Sequence, residues 1–188
     1  MTGRGVMGRS VTGRDMMCRH GTAQVGAPTI DDGPIAPGSD APPFSLRDTP
    51  HSRVRLEDYR GRALVLVFHV ADWHPVATAQ LTRLRDLVTE LGRLNAAVVA
   101  ISTDATWSHE AFARDIDIAF PLLADDEPPG ATASAYRVHD RATGRSRRAI
   151  VVVDHAGVVR WSATFPDAVD PGVDGVLSAL EALRRAGT

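Results

Sequence analysis

The feature that most limits how this chain can fold is a set of three short, continuous apolar runs. They are rich in Val, Leu, Ile and Ala, as expected for strands buried on both faces of a sheet, and they span residues 63–69, 96–102 and 149–153. Between the first two runs, apolar residues recur at steps of three and four, the spacing of one helix face: Ala77, Leu81, Leu84, Val88 and Leu91. A crossover helix of this size lets the flanking strands lie parallel. The pattern predicts an α/β fold with a helix packed on a central sheet.

Two further helices and a hairpin complete the predicted order of elements. Residues 107–115 predict a short helix, and residues 154–157 predict the turn of a β-hairpin. The last helix is predicted to begin with Asp170 as N-cap and Pro171 in its first turn, and to end before Gly187. Its apolar face comprises Val173, Val176, Leu177, Leu180 and Leu183.

The first 36 residues differ in composition from the rest of the chain. They are rich in Gly, Arg, Thr and Pro and show neither a helical nor a strand period. Such a segment cannot bury enough apolar surface to offset the entropy of ordering it. We expect a disordered tail over residues 1–36 and one folded domain over residues 37–188. The tail lacks the apolar stretch of a secretory signal peptide, so we expect a cytoplasmic protein.

Charge and residue usage exclude several classes of function. The formal net charge is −2 and the arginines are spread along the chain, so no concentrated basic face for nucleic acid is expected. No apolar run is long enough to cross a bilayer, so we expect no membrane partner. All 21 basic residues are arginine, which excludes lysine Schiff bases and P-loops. Cys18 is the only cysteine, which excludes an internal disulfide, a Cys-x-x-Cys pair and a thiolate zinc site.

A series of motifs between Pro37 and Leu183 follows the order seen in a known protein family. They lie at residues 41–46, 56–61, 64–68, 71–73, 101–104, 107–112, 120–125 and 148–154. In these motifs the chain resembles peroxiredoxins of the AhpC/TSA type. The resemblance implies a thioredoxin-like, peroxiredoxin-type α/β sandwich with a central mixed sheet flanked by helices. It also implies a homodimer, because peroxiredoxins commonly assemble as dimers.

The residues that carry chemistry in that family are largely replaced in this sequence. The family pattern Pro-x-x-x-Thr/Ser-x-x-Cys, joined by a later arginine, reads here as Val70, His74, Ala77 and Arg148. A methyl side chain cannot form the thiolate that attacks peroxide. We therefore expect that the chain is not a conventional thiol peroxidase. Cys18 lies in the predicted tail with no helix N-terminus to activate it, and we expect it to be inert.

The resemblance also implies what remains of the pocket. In the family, the first turn of the long helix faces the arginine. Backbone N–H groups of Pro75, Val76 and Ala77 beside Arg148 would then form a site for a small anion or a carbonyl oxygen. We expect a small-molecule ligand there, and no cofactor.

Two histidines and their neighbours extend this candidate site. His74 replaces the hydroxyl residue and His69 ends a buried strand, and both are candidate bases in catalysis with Arg148. The alternatives are a solvated His74 and a His69 that bonds a backbone carbonyl. Asp72 and Trp73 complete the candidate ligand-binding set, although large aromatic residues near sheet ends are more often part of the core, as we also expect for Trp107, Trp161 and Phe120.

The spacing of His69, Asp72 and His74 suggests a metal, but a strand end and a tight loop rarely point three such side chains at one centre, so no metal is expected. Arg148 has a purely structural alternative, namely pairing with Asp72, Asp104 or Glu110.

Three functions remain open from the sequence. The first is a repurposed, cofactor-free enzyme or small-molecule binder that uses the old pocket, for example in a specialised biosynthetic pathway. The second is a non-catalytic partner or regulator of an active peroxiredoxin. The third is residual peroxide reduction as an antioxidant protein, through Cys18 or a partner's thiol.

Overall fold

The chain alternates strands and helices, as the apolar pattern predicts. The computed structural model describes residues 33–187. In order, the elements are β1 (Ser45–Thr49), β2 (Ser52–Arg55), a 3-10 helix (Leu56–Tyr59), β3 (Ala63–Phe68), α1 (Pro75–Arg93), β4 (Ala96–Ser102), α2 (Thr106–Asp115), β5 (Leu122–Ala124), α3 (Ala131–Ala135), β6 (His139–Asp140), β7 (Arg145–Ser146), β8 (Ala149–Val153), β9 (Val159–Thr164) and α4 (Asp174–Arg185). Within these residues, no helix combines the length and the apolar character needed to cross a membrane.

Seven strands form one mixed sheet, in the order β2-β1-β5-β4-β3-β8-β9. The three apolar runs of the sequence supply its centre, β4, β3 and β8. β3 pairs parallel with β4 and β4 with β5, whereas β8 is antiparallel to both β3 and β9. The predicted mixed sheet is confirmed. The short β6 and β7 form a separate two-stranded hairpin.

Apolar residues pack on both faces of the sheet because each central strand is apolar on both sides. On one face, Val65 and Val67 of β3 pack with α1, α2 and α4 residues such as Leu81, Phe112 and Leu180. On the other face, the alternate β3 residues Leu64, Leu66 and Phe68 pack with Phe44, Tyr136 and Val138. β3 is therefore at the middle of the core, and the chain that leaves its end enters the candidate site.

Two details of the helix predictions are wrong. α4 begins at Asp174 with Val173 at the N-cap position, rather than at Asp170. Asp170 instead accepts a hydrogen bond from the Gly172 amide in the preceding loop and pairs with Arg83 at 2.9 Å. In α1, Val88 is 41% exposed, because the three- and four-residue steps drift off the buried face there.

Contacts with the folded domain extend to Ile35, two residues before the predicted boundary at Pro37. Ile35 is buried, and its N–H donates to the carbonyl of Tyr136 at 3.1 Å. Cys18 and residues 1–32 of the predicted tail lie outside the described residues.

Candidate functional site

The candidate site lies where β3 ends and the chain turns into α1. Trp73 adopts a left-handed backbone with φ of 53°, which is uncommon for a bulky residue. His74 is the N-cap residue of α1, and Ala77 in the first turn is completely buried. The loop is fixed against α2, because the Trp73 indole N–H donates to Asp115 at 3.0 Å and its ring packs on Phe112.

Arg148 sits directly before β8, beside the end of β3. Its side chain is completely buried, at 0% exposure. Nη1 donates to Oε1 of Gln80 at 2.9 Å and Nη2 to the carbonyl of Asp167 at 3.0 Å, while Nδ1 of His74 lies 3.5 Å from Nη2. Burial lowers the pKa of Arg148, and the nearby Asp167 and Asp170 partly oppose that shift. The guanidinium is thus a desolvated cation. Its hydrogen-bond partners at 3.0 Å or less are the side-chain oxygen of Gln80 and the backbone carbonyl of Asp167.

The structural alternative predicted for Arg148 is wrong in its partners. Asp72 binds two histidines, Asp104 binds the Asp72 amide, and Glu110 pairs with Arg114. The side chain that does accept from Arg148 is that of Gln80, which is not among the residues predicted from the sequence. Its signal was a polar residue on the apolar face of α1, four residues before Leu84.

Two buried donors, one on this arginine and one on its partner Gln80, have no acceptor within the described residues. Nε of Arg148 and Nε2 of Gln80 have no hydrogen-bond partner within the described residues. The first-turn amides of Val76 and Ala77 lack intrahelical acceptors because they open α1. Pro75 was also predicted to offer an N–H, which is wrong because the proline nitrogen carries no hydrogen. The residues around the start of α1 therefore include several N–H groups whose hydrogen-bonding capacity is not used within the described residues.

The second histidine, His69, belongs to a different cluster. Its Nε2 lies 3.2 Å from Oδ1 of Asp72, and Nδ1 of His109 on α2 lies 3.0 Å from each Asp72 oxygen. Ser108 donates to Asp72 at 2.6 Å, and the Asp72 amide donates to Asp104 at 2.8 Å. His74 and His69 are thus divided between two groups, His74 beside Arg148 and His69 beside Asp72.

Electrostatics of this cluster favour an ionised Asp72. Burial by itself raises the pKa of the carboxyl, but hydrogen bonds from His109, His69 and Ser108 outweigh it and place the pKa well below its usual range. Burial lowers the pKa of His69, with the Asp72 hydrogen bond opposing it. His109 and Ser108 could not be assigned to this cluster from the sequence, because they lie far along the chain on α2.

The aromatic residues divide between core and surface. Phe120 is buried and Trp161 packs partly buried against the core, as expected. Trp73 is 48% exposed and Trp107 69% exposed, so the core interpretation is wrong for both. Trp107 lies in the first turn of α2 and Trp73 packs on Phe112 of α2, so both exposed rings lie beside this helix.

Comparison with protein families matches residues 37–162 to the AhpC/TSA family. The chain belongs to this family. Among relatives, a peroxiredoxin of Thermoplasma volcanium is 27% identical over 157 residues, covering 80% of this chain and 76% of the relative. Alkyl hydroperoxide reductase E of Mycobacterium tuberculosis H37Rv is 35% identical over 126 residues, covering 66% and 82%.

Solved structures show the same fold. The crystal structure of Enterococcus faecalis AhpC aligns with a TM-score of 0.73 and 26% identity, over 80% of this chain and 93% of that one. A reduced Plasmodium vivax 2-Cys peroxiredoxin aligns with a TM-score of 0.74 at 22% identity, over 82% and 84%. The predicted thioredoxin-like, peroxiredoxin-type fold is confirmed.

Proposed function

We propose that this AhpC/TSA-family protein lacks thiol peroxidase chemistry and instead binds a small anion or carbonyl compound at the start of α1. The observation that supports it is the completely buried Arg148, with Gln80 as its hydrogen-bond partner and unpartnered N–H donors on both side chains. The site would act without a cofactor.

The loss of peroxidase chemistry follows from position 77. The resemblance places the reactive cysteine there, and the residue is a fully buried alanine. Alanine has no lone pair with which to attack a peroxide oxygen. The two other replacements, Val70 and His74, lie in the loop that precedes α1, so the changes are concentrated within eight residues of the chain.

The choice of an anion or carbonyl ligand follows from the balance of donors and acceptors. Oε1 of Gln80 accepts from Arg148, which orients the Gln80 amide so that its NH₂ group is the free end. Nε of Arg148 adds a second free donor. Buried N–H groups are costly when unpaired. Oxygen atoms of a carboxylate, phosphate or carbonyl would satisfy them, and the helix N-terminus favours negative charge.

His74 is placed to contact a ligand bound by Arg148 and to act in catalysis. It is half-buried at the N-cap of α1, and Nδ1 lies 3.5 Å from Nη2 of Arg148. A ligand held by Arg148 would therefore lie next to an imidazole. We propose His74 as the residue that contacts the ligand's reacting end, and His69 as part of the separate Asp72 cluster.

Ligand binding is tested by thermal denaturation and calorimetry with acetate, pyruvate and inorganic phosphate. A ligand at about 100 times its Kd stabilises the folded state by about 2.7 kcal/mol. We expect such stabilisation for the unmodified protein and its loss in Arg148→Met and Gln80→Leu. Arg145→Gln is the matched control, because Arg145 is an exposed arginine three residues away. Equal responses in all four proteins, or none in the unmodified protein, would overturn the proposed site.

A second candidate function is that of a non-catalytic partner, as a homodimer or with a related chain. The exposed Trp73 and Trp107 support it, since large aromatic residues are enriched at interfaces. Light scattering after gel filtration, with Trp107→Glu as the variant, tests it. A dimer that dissociates in the variant supports association through this surface. A monomer for the unmodified protein would contradict it.

A further inference from the structure

The cluster around Asp72 has no part in the proposed anion site, and its geometry is that of a ligand set. His69 follows β3, Asp72 lies in the loop before α1, and His109 lies on α2. One nitrogen of each histidine and one Asp72 oxygen lie within 4.8 Å of one another. The three side chains are 0%, 2% and 1% exposed, so solvent does not screen or compete with them.

The separations within this cluster suit a transition metal. Zinc binds histidine nitrogen and carboxylate oxygen at about 2.0–2.2 Å, which places neighbouring ligand atoms of a tetrahedral site about 3.3–3.6 Å apart. The distances from Asp72 to His69 and to His109 are 3.2 and 3.0 Å, so these side chains would separate by a few tenths of an ångström (about 0.1–0.6 Å) to admit an ion. Two imidazoles and one carboxylate favour a divalent ion that accepts nitrogen ligands, and not magnesium or calcium, which prefer oxygen.

Charge also favours a cation at this position. Among the described residues, the ion-pair partners of the Asp72 carboxylate are the two histidines. A divalent cation between neutral imidazoles would balance this carboxylate. The Asp104 carboxylate is held in the same loop region by the Asp72 backbone amide, whose N–H donates to its Oδ2 at 2.8 Å.

Neighbouring groups hold the carboxylate as second-layer partners of metal ligands commonly do. Ser108 donates to Oδ2 of Asp72 at 2.6 Å, which leaves Oδ1 directed at His69. Asp104 is itself fixed by Ser102 at 3.0 Å. The outer nitrogens, Nδ1 of His69 and Nε2 of His109, have no partner within the described residues. Metal binding would place hydrogens there without acceptors, so only an ion with strong nitrogen affinity would overcome that cost.

We propose that His69, Asp72 and His109 bind one divalent transition-metal ion of the zinc class. The ion would connect the end of β3, the loop before α1 and the start of α2. Because the three ligands are buried, its role is to fix the loop that carries Trp73 and His74. The metal site shares no ligand residue with the proposed anion site, although the loop it would fix carries His74 of that site.

The test is metal content of the full chain produced without an affinity tag. After growth with added zinc and purification by gel filtration, we expect about one zinc ion per chain, measured by inductively coupled plasma mass spectrometry. Replacement by Co²⁺ should give visible absorption bands of a nitrogen- and oxygen-ligated ion, and removal of metal should lower Tm.

Variants separate this cluster from adventitious binding. His69→Phe keeps an aromatic ring of similar size and should reduce bound metal by about tenfold or more, as should Asp72→Asn. His51→Ala removes an exposed histidine and should retain metal. Two results would overturn the proposal: no zinc or cobalt bound by the unmodified protein at millimolar metal, or undiminished binding in the His69 and Asp72 variants. The first result uses the unmodified chain, so it does not depend on whether a variant folds.

Discussion

Replacing Arg148 with methionine tests whether this arginine serves ligand binding or the stability of the fold. The guanidinium donates two hydrogen bonds at 2.9 and 3.0 Å, to Gln80 and to the Asp167 carbonyl. Bonds from a charged donor contribute about 1.5–3 kcal/mol each, so the variant loses about 3–6 kcal/mol. Against this, burying an ion costs several kcal/mol, and methionine removes that cost while filling much of the space.

The two effects are similar in size and opposite in sign. We expect the free energy of unfolding of Arg148→Met to lie within about 2 kcal/mol of the unmodified protein. Arg148→Ala should instead lose about 2–5 kcal/mol, because it leaves a cavity as well. Urea denaturation followed by circular dichroism measures both. If Arg148→Met is destabilised by as much as Arg148→Ala, Arg148 serves the fold and the reasoning about a ligand is refuted.

Two further predictions concern stability. Gly175→Ala places a Cβ 2.7 Å from Cζ2 of Trp161, and we expect a loss of about 1–3 kcal/mol by urea denaturation. In α1, the Cβ of Gly92→Ala meets nothing within 4 Å, so this variant should raise the free energy of unfolding by up to about 1 kcal/mol. Equal effects of the two variants would contradict the clash with Trp161. For Asp154, burial raises the carboxyl pKa, but the Val158 amide, Arg160 and the Ala156 amide outweigh it and lower the pKa. Its stabilisation is therefore full above the ordinary carboxyl pKa and lost as pH falls through the lowered value. The advantage over Asp154→Asn should shrink below about pH 4, and an advantage that grows with acid would contradict the direction.

Most of the fold could be predicted because the central strands are buried on both faces. β3, β4 and β8 required continuous apolar runs, and the sequence shows them. The short strands β1, β2, β6 and β7 were not predicted, because they are polar; β2 is the edge of the sheet, β1 lies next to it, and β6 and β7 form a separate hairpin. The short buried strand β5 was also not predicted, because Pro121 and the Asp, Pro and Gly residues that follow are typical of a loop. The start of α4 was misplaced because Asp170 and Pro171 resemble a helix start yet belong to a loop.

The candidate site could be predicted only in part. Arg148 and His74 were located through the family motif, which fixes positions along the chain. Arg148 also donates to the backbone carbonyl of Asp167, and a backbone acceptor cannot be recognised from the type of residue that carries it. His109 joins His69 and Asp72 only after α2 packs beside the β3 end, which no local spacing reveals.

The central claim is that Ala77 leaves this chain without thiol peroxidase activity. The most direct test is consumption of hydrogen peroxide and of an organic hydroperoxide, with a general thiol reductant and an active peroxiredoxin as positive control. We predict no enzymatic rate for the unmodified protein and a measurable gain for Ala77→Cys, whose thiol would lie in the first turn of α1. Peroxide consumption by the unmodified protein at an enzymatic rate would contradict the claim, and Cys18→Ala would then show whether the lone cysteine carries it.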